Sequence, residues 1–112
     1  MIQQHQTDTY IKICMKAWLL CESCVHAENT SAHARPDLVD ECGQCAKTCF
    51  AVVSKLVSDT DDLGDLALNC ILHCRQCADI CYRYDENDIL LCGEVCSTCA
   101  EMLKQLVPMS LN

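Results

Sequence analysis

Apolar residues recur at helical period along four stretches of this chain, and polar breaks separate the stretches. The period predicts helices from about Thr7 to Ala27, Pro36 to Val57, Asp61 to Tyr84 and Asp88 to Val107. The breaks have mechanisms. Pro36 suits a first helical turn, where its missing N–H has no partner to lose. Asp37, Asp40 and Glu41 follow it and favour the positive end of the helix dipole. Ser58 to Asp62 offers several N-caps for the third helix, and Asp85, Asn87 and Asp88 do so for the fourth. Pro108 stops the fourth helix. Short connections make neighbours antiparallel, so the expected fold is all-α, an up-down-up-down four-helix bundle. One domain over residues 1–112 is expected, with Glu28 to Arg35 as its longest connection.

The same periodicity places the cysteines. Cys14, Cys21 and Cys24 fall on the first helix, and Cys42, Cys45 and Cys49 on the second. Cys70, Cys74, Cys77 and Cys81 fall on the third, and Cys92, Cys96 and Cys99 on the fourth. Every step is 3, 4 or 7 residues, so each set occupies one helix face. Tyr10, Ala17, Val52, Val53, Leu56, Leu63, Leu66, Leu103 and Leu106 continue those faces. The cysteines are therefore expected in the core. They gather toward the C-terminal ends of the odd helices and the N-terminal ends of the even ones, ends that coincide in this topology. The thiols would fill roughly 20 Å of core, and leucine and valine would fill the rest. Counting turns gives three tiers. Cys24, Cys42, Cys81 and Cys92 come first, then Cys45, Cys77 and Cys96, then Cys14, Cys49, Cys74 and Cys99.

Cysteine makes up 13 of 112 residues, beside one Trp, one Phe and three Tyr. One or two buried cysteines serve as small hydrophobes. Thirteen on four facing stripes fill volume poorly and invite oxidation. A secreted disulfide framework is the alternative. The odd count, the helical pattern and a Met1 to His5 start without basic and apolar signal regions weigh against it. The expected compartment is the cytoplasm, where thiols stay reduced and cysteine clusters mean metal. The net charge of −8 argues against nucleic acid. No apolar run reaches the ~20 residues that span a bilayer.

Soft thiolates select Cu(I), Zn(II) or Fe–S clusters. A closed four-thiolate zinc site carries a net negative charge, and several would accumulate charge in the core. Cu(I) bridged by shared thiolates replaces each lost proton with one cation and leaves the core neutral. That favours multiple Cu(I) ions. The alternatives are a ferredoxin-like Fe–S electron-transfer protein and a zinc or thiol-redox interaction protein. Cys70-x-x-x-Cys74-x-x-Cys77 and Cys92-x-x-x-Cys96-x-x-Cys99 match a spacing of cluster-binding loops. Here, however, they lie inside continuous helical stripes. The four C-x-x-C pairs resemble redox dithiols, which normally come singly in an α/β fold.

From Cys70 to Glu101 the chain reads Cys-x-x-x-Cys-x-x-Cys-Ala-Asp-Ile-Cys, then Cys-x-x-x-Cys-x-x-Cys-Ala-Glu. In this stretch above all it resembles the cytosolic copper storage proteins. That resemblance implies Cu(I) along the core of a cysteine-rich four-helix bundle, a His-bearing mouth and a homo-oligomer, often a tetramer. The chain departs from the more cysteine-rich members by lacking cysteines in the lower core, which bears on capacity. His26 and His33 fall near the thiol-rich end and are candidate entry ligands beside the thirteen cysteines. His73 lies off the stripe centre, and Met102 borders it. No nucleophile–base pair, phosphate loop or paired carboxylates suggests an enzyme. The expected function is binding of copper ions for storage or sequestration.

Overall fold

The computed structural model describes residues 4–58 and 63–107. Four α-helices form, α1 over Gln4–Asn29, α2 over Pro36–Ser58, α3 over Leu63–Cys81 and α4 over Asn87–Leu103, followed by a 3-10 turn over Lys104–Leu106. The described residues contain no strand. The expected start of the third helix at Asp61 and the stop at Pro108 lie outside the described residues, as do Asp59 to Asp62 among the expected caps.

The first helix begins at Gln4 rather than Thr7, and the fourth gives way to the 3-10 turn after Leu103 rather than running to Val107. Three other boundaries moved for a local reason. The first helix runs on to Asn29, and the Thr30 hydroxyl then donates to the His26 carbonyl and closes the end. The third ends at Cys81 rather than Tyr84. Arg83 and Tyr84 bond back three residues, to Ile80 and Cys81, which tightens the last turn. The fourth starts with Glu86 as its N-cap, and the Glu86 side chain makes no capping bond. It reaches Arg35 instead, so the expected capping by Asp85, Asn87 or Asp88 did not hold.

The helices form a square. α1 packs on α2 and α4, and α3 packs on α2 and α4, while the diagonal pairs do not pack backbone to backbone. Sulfur contacts fix the directions. Cys14, the earlier on α1, meets Cys99, the later on α4, while Cys21 meets Cys92. Cys42 meets Cys77 and Cys49 meets Cys70, so α2 and α3 are also antiparallel. The bundle is therefore up-down-up-down, as the short connections imply.

Its two ends differ. At one end Tyr10, Val52, Leu56, Leu63 and Leu103 are buried, with the Tyr10 hydroxyl donating to Gln105 Oε1 at 2.8 Å. At the other end the 1–2 connection is tied to the 3–4 connection. Buried Glu28 accepts from the Arg35 backbone N–H at 2.8 Å, from Nε at 3.0 Å and from Nη2 at 2.7 Å. Arg35 Nη2 also donates to Glu86 at 3.1 Å, and the guanidinium lies 4.6 Å from the centre of the Tyr84 ring. The Tyr84 hydroxyl donates to Asp37 at 2.9 Å. Leu38 and Ile89 are buried at the same end.

Small residues set how closely the helices approach. A Cβ on Gly93 would sit 3.0 Å from Cys81 Cβ and 3.0 Å from the Tyr82 ring, so this glycine lets α4 press on the end of α3. Gly43 is different: a Cβ there meets nothing within 4 Å, and packing does not explain it. Gly93→Ala is therefore expected to cost about 1–3 kcal/mol by overpacking. Gly43→Ala should gain about 0.5–1 kcal/mol from helix propensity. Urea unfolding of the reduced, metal-free proteins checks both signs.

The Arg35 clamp has a pH signature. Hydrogen bonds from Arg35 hold the Glu28 carboxyl below its ordinary value. A carboxyl lowered by folding contributes stability that is complete above its unfolded value and lost as pH falls through its folded one. Arg35→Met leaves the buried Glu28 carboxylate with only the residue-35 backbone N–H, so it should cost about 1–3 kcal/mol at neutral pH. The difference from the parent should shrink as pH drops below the carboxylate range. Unfolding midpoints across that range test it, and a pH-independent difference would contradict the pairing.

Candidate metal centre

Each helix contributes its cysteines because a step of 3 or 4 residues returns to the same face. The square then aims all four faces at one axis. Twelve cysteines are at most 1% exposed, and Cys24 is half-buried. All thirteen are free thiols.

The sulfurs meet across the diagonals that the backbones leave open. Cys21 of α1 reaches Cys77 of α3 at 3.8 Å, and Cys45 of α2 reaches Cys96 of α4 at 3.7 Å. From the mouth inward the contacts run on. Cys42 lies 3.6 Å from Cys77, Cys77 3.8 Å from Cys96, and Cys45 3.6 Å from Cys74. Cys74 lies 3.9 Å from Cys49, which lies 3.6 Å from Cys70.

Three quartets have all four sulfurs within 4.8 Å of one another. They are Cys21, Cys77, Cys92 and Cys96; Cys42, Cys77, Cys81 and Cys92; and Cys49, Cys70, Cys74 and Cys99. The first two share Cys77 and Cys92. They cannot both be closed cages with private ligands, so a metal filling both would be bridged. The spacing fits metal–sulfur bonds. Bonds of about 2.3 Å put sulfurs about 3.8 Å apart in a tetrahedron and about 4.0 Å apart in a trigonal plane. The closest sulfurs here are already at 3.6–3.9 Å.

The protons are held in common. Hydrogen bonds to Cys21, Cys42 and Cys45, with burial, push the Cys77 thiol up. Hydrogen bonds to Cys45, Cys49 and Cys70, with burial, do the same to Cys74. Donation from Cys21, Cys24 and Cys77 draws Cys42 down. A thiolate on one sulfur thus raises the cost of a second beside it, until a cation arrives.

The structure brings no histidine into these quartets. His26 and His33 are exposed, His26 on the last turn of α1 and His33 in the following connection. His73 turns to Glu41, with Nδ1 3.2 Å from Oε1. Met102 is partly buried against the core, and Met15 is exposed. Counting turns left Cys21 and Cys70 out of the tiers, yet Cys21 touches Cys77, Cys92 and Cys96, and Cys70 belongs to the deepest quartet. Cys21 is one turn from Cys24, a signal that was present. Glu28, Arg35 and Glu86, which close the mouth, carried no comparable signal.

No helix among the described residues is long and apolar enough to cross a membrane. Neither the curated proteins nor the solved structures gave a match. The family model described as copper storage protein matches residues 3–108, and with its buried sulfur clusters the chain belongs to that family.

Proposed function

We propose that the chain binds many Cu(I) ions through Cys14, Cys21, Cys24, Cys42, Cys45, Cys49, Cys70, Cys74, Cys77, Cys81, Cys92, Cys96 and Cys99, and so stores or sequesters copper without catalysing a reaction. One observation carries the reading: the sulfur quartets share Cys77 and Cys92. Bridging thiolates suit Cu(I), which takes few soft ligands and brings one positive charge per proton displaced. The core then fills without accumulating charge, which burial would penalise.

Zinc is the second reading. The deepest quartet, Cys49, Cys70, Cys74 and Cys99, shares no sulfur with the other two and fits a closed tetrahedral site. The charge argument disfavours zinc for the shared quartets.

The reading extends to the cytosol as compartment, where these thiols stay reduced. It extends also to a homo-oligomer, a tetramer by family likeness. Leu19, Phe50, Val57, Leu68, Leu72 and Leu91 are large apolar side chains left exposed, as oligomer interfaces require.

An anaerobic Cu(I) titration against a chromophoric chelator tests the function. Copper should bind up to about one ion per cysteine, the ratio of bridged two-coordinate thiolates. A plateau near one ion per four cysteines, the ratio of closed cages, would defeat the reading. Iron with acid-labile sulfide in protein purified with iron available would also defeat it.

Bridging has a second consequence. Cys77 and Cys96 touch each other and three further cysteines between them, Cys21, Cys42 and Cys45. Replacing both with Ser should remove more copper than the roughly two ions a one-to-one ratio assigns, because coupled neighbours are not additive. Loss of only that share, with affinity elsewhere unchanged, would mean independent sites.

A further inference from the structure

A buried thiol core needs a way in, and the bundle end does not offer one. Leu38 at 0% exposure and Ile89 at 5% are sealed at that end, and Arg35 bridges Glu28 and Glu86 across its two connections. Both histidines of that end are exposed and stand outside the quartets. Cys24 is the single cysteine that is not sealed.

Cys24 opens onto a cleft of about 270 Å³ between α1 and α4, lined also by Leu20, Ser23, Glu28, Glu86 and Asp88. Inward, Cys24 is one helical turn from Cys21, whose Sγ lies 3.8 Å from Cys77 and 3.6 Å from Cys96. Cys42 Sγ is 3.6 Å from Cys77, which touches Cys21 and Cys96. The cleft thus joins solvent to the sulfur network at one point.

We infer that Cu(I) enters and leaves through this lateral cleft, with Cys24 as the first protein ligand, delivered by a low-mass Cu(I)–thiolate complex. This rests on the copper reading above. The cleft is too small for a folded donor. The step is ligand exchange. A copper–sulfur bond to the donor breaks, a bond to Cys24 Sγ forms, and the Cys24 proton passes to the departing thiolate. Copper stays Cu(I), and no electron moves. A second exchange breaks the copper bond to Cys24 Sγ and forms one to a core sulfur, Cys21 or Cys42, whose proton passes to Cys24 and frees it for the next ion.

Stopped-flow loading of the reduced, metal-free protein from Cu(I) complexed by excess glutathione tests it. Cys24→Ser should slow the initial rate about tenfold, since thiol exchange is limited by access. Final copper content should fall by no more than the share of one ligand. An unchanged initial rate with that same small loss would make Cys24 an ordinary ligand and overturn the inference. Parent protein that takes up no copper would overturn the copper reading instead. Pulse alkylation of the metal-free parent protein with iodoacetamide gives a test independent of the variant's folding. Cys24 should be modified before any other cysteine, and simultaneous or earlier labelling elsewhere would overturn the lateral route.

Discussion

A buried thiolate is disfavoured twice, once by the loss of water and again by each thiolate beside it. This core holds twelve sealed cysteines, and their sulfurs touch from Cys42 at one end to Cys70 at the other. Such a core can be stable as thiols, or as thiolates each matched by a cation, but not as bare thiolates. The rest of the bundle follows from that constraint. A soft monovalent ion that takes shared thiolates satisfies it at every stage of filling. A divalent ion satisfies it only where four sulfurs can be set aside for each metal.

The fold supplies the condition by dividing labour along its axis. Tyr10, Val52, Leu56, Leu63 and Leu103 hold one end together by ordinary apolar burial. The other end can then be filled with side chains that pack poorly and react easily. Gly93 draws α4 onto α3, and cysteines reach across the diagonals. At that end Leu38 and Ile89 are buried and the Arg35 clamp ties the connections together, while Cys24 lines a lateral cleft.

The stripes were legible in the sequence because a step of 3 or 4 residues has one structural meaning on a helix. The four helices and the inward direction of the cysteines followed from it. Contacts among sulfurs were less legible, since turn counting gives height but not the rotation that brings Cys21 against Cys96. The mouth was not legible. Glu28, Arg35 and Glu86 look like ordinary solvated charges in the sequence, and only the closing of two connections against each other brings them together. The same closure takes Glu86 away from helix capping and the Tyr84 hydroxyl onto Asp37. The expectation of a histidine mouth came from family likeness, and here exposed His26 and His33 flank a mouth closed by an ion pair.

The central claim is a continuous core of thiolates bridging Cu(I). Copper K-edge absorption of the fully loaded protein addresses it most directly, because it reports ligand type and metal–metal neighbours together. Sulfur should be the only element bonded to copper, with an edge characteristic of Cu(I) and a second copper just beyond the sulfurs. Nitrogen or oxygen bonded to copper, or copper with no copper neighbour at full loading, would contradict the claim.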